Sequence, residues 1–199
     1  MPNWCLTSYV ITGREDEVAT VYKTLTKMKE RKSLLPNDWG SMWVGNIVRL
    51  LNKDWQKVYC RGWITDFEQV TPNRINLSVE SAWGELDEVR QLVLRNSESL
   101  KIYYQAEEPG MCIFRTNDAD GTYFPERYLL DWNDEKNNTY IWDYFKDLPA
   151  VIEYLKNNGV LTKDVFPTKE AITAVLEKIQ NSRPNDISFM LEEFVVVDD

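Results

Sequence analysis

Trp4-Cys5-Leu6-Thr7-Ser8-Tyr9-Val10-Ile11-Thr12-Gly13-Arg14-Glu15 carries two signals in succession. Trp4 to Thr12 is rich in β-branched and aromatic residues, which predicts a strand. Thr12 and Glu15 then stand at the Ser/Thr-x-x-Glu spacing of a capping box, so a helix is expected to begin there. Val18, Val21, Tyr22, Leu25 and Met28 follow at steps of three and four, which gives that helix one core-facing stripe.

Working outward, Pro36-Asn37-Asp38 breaks the chain, and Met42, Trp43, Ile47, Leu50 and Leu51 predict a short second helix despite Gly45 inside it. Tyr59 to Val70 and Arg74 to Ala82 read as two strands joined at Thr71-Pro72-Asn73. Ile75, Leu77 and Val79 alternate with polar residues, which implies one buried face. Leu86, Val89, Leu92 and Val93 place a helix within 84–96, and Leu100 to Ala106 returns to a strand. The order β-α-(α)-β-β-α-β is that of a ferredoxin-like βαββαβ antiparallel sheet with an inserted helix. Met111 to Thr116 and Thr122 to Leu130 predict an added hairpin across Asn117–Gly121.

Beyond Leu130 the composition shifts. Asp131 to Thr139 is polar and acidic, helices are expected near Leu148–Asn157 and Thr168–Gln180, and a last strand near Ile187–Val197. The expected division is therefore an α+β domain over residues 1–130 and an acidic, α-rich C-terminal appendage over 131–199. The chain's net charge is −9, with 23 Lys and Arg against 32 Asp and Glu. From Asp131 to Asp199 there are 14 acidic and 7 basic residues, so the appendage carries most of the excess.

Composition also excludes. Without histidine there is no His general base and no Ser-His or Cys-His nucleophile pair. Cys5, Cys60 and Cys112 are three and widely spaced, which suits small buried hydrophobes better than zinc or a disulfide framework. Phosphate-binding glycine loops are absent, and Asp118-Ala119-Asp120-Gly121 lacks the Glu that would complete a calcium loop, Arg127 standing there instead. A net negative chain disfavours nucleic acid. Trp39, Trp43, Trp55, Trp63 and Trp83 are accordingly expected in the core rather than as base-stacking platforms. No secretory leader or membrane-length apolar run is read, and a cytoplasmic location is expected.

Glu107-Glu108-Pro109-Gly110-Met111 ends a predicted strand. In the expected topology this strand runs antiparallel to the first, bringing its end beside Asn3 and Trp4. Trp4, Trp83, Tyr104, Glu107 and Glu108 are therefore the candidate binding residues. The competing reading is that Pro109-Gly110 turns the chain and both carboxylates are solvated.

Met1-Pro2-Asn3-Trp4-Cys5, Ser81-Ala82-Trp83 and Glu107-Glu108-Pro109-Gly110-Met111 together resemble the YubB-like family of phage, plasmid and other mobile-element proteins. The resemblance spans roughly residues 1–130. It implies a ferredoxin-like domain, a cytoplasmic setting and a mobile-element context, but no activity, cofactor or catalytic residue.

The residues favour a non-enzymatic binding or interaction protein, with a protein partner, over an enzyme. Two alternatives stay open: a hydrolase or transferase using Glu80, Glu107 and Glu108 with magnesium, and an acidic mimic of nucleic-acid charge. No cofactor is implied, and the oligomeric state is not legible.

Overall fold

A computed structural model describes residues 2–30 and 39–198. The break expected at Pro36-Asn37-Asp38 lies outside them. The fold is α+β, with mostly antiparallel pairing and five α-helices among the described residues. The chain forms two compact units, Met1–Ala119 with Val197–Asp199, and Asp120–Val196.

In the first unit, β1 (Trp4–Thr12), β2 (Gly62–Thr71), β3 (Arg74–Ala82), β4 (Lys101–Glu108) and β5 (Ile113–Thr116) lie in the order β2-β3-β1-β4-β5. Every neighbouring pair is antiparallel. Because side chains alternate across a strand, the register sorts two faces. Cys5, Tyr9 and Ile11 of β1 share one face with Ile75, Leu77 and Val79 of β3 and with Ile102, Tyr104 and Ala106 of β4. That face meets α1 (Glu15–Glu30), α2 (Gly45–Leu50) and α3 (Asp87–Arg95), and its core includes Val18, Leu25, Met28, Val48 and Val89. Trp4, Leu6 and Ser8 point to the other face, beside Glu80, Ser78 and Glu107.

The helix after β1 starts at Glu15, later than the capping box at Thr12 predicts, with Glu15, Asp16 and Glu17 in its first turn and Lys27 and Lys29 in its last, the polarity the helix dipole favours. Thr12 itself remains in β1, opposite Arg74 and Lys101. Of the five tryptophans expected in the core only Trp43 is buried; Trp55 and Trp63 are partly buried and Trp39 and Trp83 exposed, although Trp39, Trp43 and Trp55 pack edge to face at 4.4–5.3 Å. Trp63 donates its indole N–H to the Trp39 carbonyl at 2.8 Å.

One further expectation is corrected here. The added hairpin does not form across Asn117–Gly121, because β5 folds back onto β4, the strand before it. Glu108 makes that turn possible: its two carboxylate oxygens accept the backbone N–H groups of Gly110 and Met111 at 2.8 and 2.7 Å. Asp118, within the span where the hairpin turn is expected, is buried.

The second unit is not simply α-rich. Its sheet runs β7-β6-β8, formed by β6 (Tyr128–Asp134), β7 (Thr139–Phe145) and β8 (Ile187–Glu193), all antiparallel. The division expected at residue 130 falls inside β6. Helices α4 (Leu148–Asn157) and α5 (Lys169–Ser182) pack their Val151, Leu155, Ile172 and Leu176 against Leu130, Trp132, Ile141 and Leu191. Asp147 and Thr168 cap the two helices by accepting the N–H groups of Ala150 and Ala171.

Candidate functional site

The end of β4 does reach the start of β1. Glu107 faces Leu6 across the ladder, and a Cβ added at Gly110 would stand 2.6 Å from the Asn3 side-chain nitrogen. The five candidate binding residues nevertheless do not converge. Trp4 and Glu107 lie on the face of the sheet away from the helices, whereas Tyr104 and Glu108 lie on the helix face. Consecutive residues of a strand point to opposite sides, so Glu107 and Glu108 do not form one carboxylate pair. Glu108 is buried and its carboxylate oxygens serve the β4–β5 turn rather than solvent. Among the described residues no group of three or more His, Cys, Asp or Glu side chains is arranged to hold a metal ion.

Trp83 follows β3 with its backbone in the left-handed region (φ 70°), where bulky residues are rarely found. Its N–H donates to the Asn3 carbonyl at 2.8 Å, which ties it to the same end of the sheet as Trp4. Trp4, Leu6 and Trp83 are all exposed, and Trp4 meets Trp63 edge to face at 5.8 Å.

The helix face holds what the sequence did not announce. A cavity of about 600 Å³ lies between α1, α2, α3 and the sheet. Its floor includes Tyr9, Ile11, Leu77, Val79 and Ile102; Val21 and Leu25 of α1 and Val89 and Val93 of α3 form its walls, and Val44, Ile47, Leu50 and Leu51 line its α2 side, where Leu50 is exposed. Leu77 sits on the helix face of β3, paired with Tyr9, yet remains only partly buried. An apolar side chain at the centre of a sheet keeps exposure only where nothing packs over it.

One polar cluster borders this cavity. Tyr9 donates its hydroxyl to Glu85 at 2.8 Å, and Arg90 donates to the same carboxylate oxygen at 3.1 Å and to Asp87 at 2.8 Å. The Arg90 side chain is 4% exposed, and its guanidinium lies 4.8 Å from the Tyr104 ring centre, within cation–π range. Burial pushes the Glu85 carboxyl above its ordinary range, against the opposing pull of Arg90 and Tyr9. Burial and the Glu85 charge push the Tyr9 hydroxyl well up. A cation inside the apolar stripe Leu86, Val89, Val93 was the available sequence signal, since a charge there requires buried partners.

The cysteines divide. Cys5 and Cys60 are buried as expected, and burial raises both thiols, that of Cys60 to about 11. Cys112 is exposed, against expectation, because it ends the β4–β5 turn with φ 53°.

Compared with protein-family models, with curated proteins and with solved structures, the chain matches none. No helix among the described residues is long and apolar enough to cross a membrane.

Proposed function

We propose that this is a non-enzymatic binding protein whose first unit is a ferredoxin-like domain holding a small apolar molecule between its helices and its sheet. The strand order β2-β3-β1-β4, with α1 and α3 in the two crossover connections, supports the ferredoxin-like reading. Kinship with the YubB-like proteins, and with it a mobile-element context, remains part of the same proposal. One observation carries the binding role: the cavity of about 600 Å³ falls within the roughly 300–1,000 Å³ of small-molecule sites and is lined mainly by aliphatic side chains.

A saturable rise in fluorescence of the neutral probe N-phenyl-1-naphthylamine on addition to the intact chain tests this. Val93→Trp, which fills the cavity from α3, is expected to abolish the rise while the far-UV dichroism is kept. An unchanged titration in that variant sinks the reading.

The exposed Trp4, Leu6 and Trp83 support a second reading, an apolar contact surface for a protein partner. The left-handed backbone at Trp83 favours it, because backbone strain of this kind clusters at functional positions. The magnesium-dependent alternative has less support, since Glu108 faces the side of the sheet opposite Glu80 and Glu107.

A further inference from the structure

Besides the Tyr9–Arg90 cluster, the polar residues of the cavity come from two elements. Asp16, Glu17, Thr20 and Thr24 come from α1, and Asn96 and Ser97 from the end of α3, whereas the side at α2 presents Val44, Ile47, Leu50 and Leu51. The two polar groups meet, because Glu17 accepts the N–H groups of Glu98 and Ser99 at 2.9 Å and the Ser99 hydroxyl. The cavity thus has a polar side where α1 meets the end of α3 and an apolar side at α2, with the Tyr9–Arg90 cluster bordering it separately.

What the polar side offers is decided by where its protons already go. Thr20 donates to the Asp16 carbonyl and Thr24 to the Thr20 carbonyl, each at 2.8 Å, and Ser97 donates to the Leu94 carbonyl at 2.9 Å. A hydroxyl has one proton to give, and these three give it to backbone carbonyls, which leaves their oxygens able to accept. Asn96 spends one of its two amide protons on the Leu92 carbonyl at 2.7 Å. Asp16 and Glu17 add negative charge, and the nearby Arg14 is shared among Asp16, Glu17 and Glu98. Arg90, the one cation among the lining residues described, is held by Glu85 and Asp87.

The helix ends act in opposite senses. The α1 N-terminus would attract an anion, but Glu15, Asp16 and Glu17 already occupy its first turn. The α3 C-terminus favours a cation, and Arg95 already stands in its last turn.

Resting on the binding role proposed above, we infer that the ligand is an elongated amphiphile whose apolar body lies over Leu77 toward α2 and whose head group, on the polar side, donates hydrogen bonds. A primary ammonium or hydroxyl head fits; a carboxylate does not.

Calorimetric titration of the intact chain with decylamine, decanol and decanoate, each below its micelle concentration, tests this. Decylamine and decanol are expected to bind, with decanoate weaker by about threefold or more, the size of an exposed like-charge repulsion. Asp16→Lys is expected to bring decanoate up to or past decylamine. Decanoate binding as tightly as decylamine, or an order untouched by Asp16→Lys, overturns the head-group assignment while leaving the cavity reading intact. If none of the three binds, the cavity reading itself falls. Val93→Trp, or Val21→Trp from the opposite wall should the first not fold, is expected to abolish all binding; retained binding in a folded filled-cavity variant places the ligand elsewhere and overturns both.

Discussion

At the scale of single residues, Gly45 shows how packing overrules propensity. A glycine in a helix costs about 1 kcal/mol relative to alanine, so propensity alone predicts that Gly45→Ala stabilises α2. The Trp43 ring decides otherwise: it lies against Gly45 so closely that an added Cβ would overlap its six-membered ring. Trp39 and Trp55 pack against that ring at 4.4 and 5.2 Å, and Trp43 is buried, so the ring has little room to give. Overpacking of this kind costs about 1–3 kcal/mol. Gly45→Ala is therefore expected to lower stability in urea denaturation of the intact chain. A variant more stable than the parent would mean that the tryptophan cluster is loose.

At the scale of elements, legibility followed periodicity. The strands β1, β3 and β4 and the helices α1, α3, α4 and α5 were readable because apolar residues recur at steps of two or of three and four. Strand β6 was not: Asp131, Asn133 and Asp134 carry low strand propensity and made 131–139 read as an acidic loop. Leu130 and Trp132 are nevertheless buried at the centre of the β7-β6-β8 sheet, and Asn137-Asn138, with Asn138 at φ 50°, supplied an overlooked turn signal. The candidate site was legible only as adjacency. Register brought β4 beside the start of β1, but the pleat sent Tyr104 and Glu108 to the face opposite Trp4 and Glu107. The cavity was beyond reach, since a stripe says that a helix faces the core and not how far its neighbour stands from it.

Asp134 also ties two elements of the second unit together. Arg183, which follows α5, donates to both of its carboxylate oxygens, at 3.0 and 2.6 Å. These bonds, with those from Asn137, hold the Asp134 carboxyl below its ordinary range. A carboxyl whose folded pKa is lowered contributes stability that is present above its unfolded value and lost as pH falls through the folded one. Asp134→Asn is thus expected to lower stability at neutral pH and to flatten the decline on acidification. An acid limb as steep as the parent's would show that the pair does not govern it.

At the scale of the whole molecule, two apolar cores divide the chain, one around Ile75, Val18 and Val48 and the other around Trp132, Leu155 and Ile172. Contacts within a unit set its local opening free energy, which hydrogen exchange reads segment by segment. A ligand that binds only the folded state adds about 2.7 kcal/mol at a hundred times its dissociation constant. Filling the cavity in the first unit should therefore slow exchange in α1, α3 and the strands beneath them. Asp147→Ala, which removes the α4 cap, should cost about 1 kcal/mol and quicken exchange in α4. Exchange mass spectrometry of the intact chain with and without decylamine is expected to show the first effect confined to residues 2–119. The second should be confined to 120–196, and the ligand's protection should persist in the capless variant. Ligand protection of α4 and α5 equal to that of α1 and α3 would mean that the two cores open as one cooperative unit, so that a ligand held by the first also sets the stability of the second.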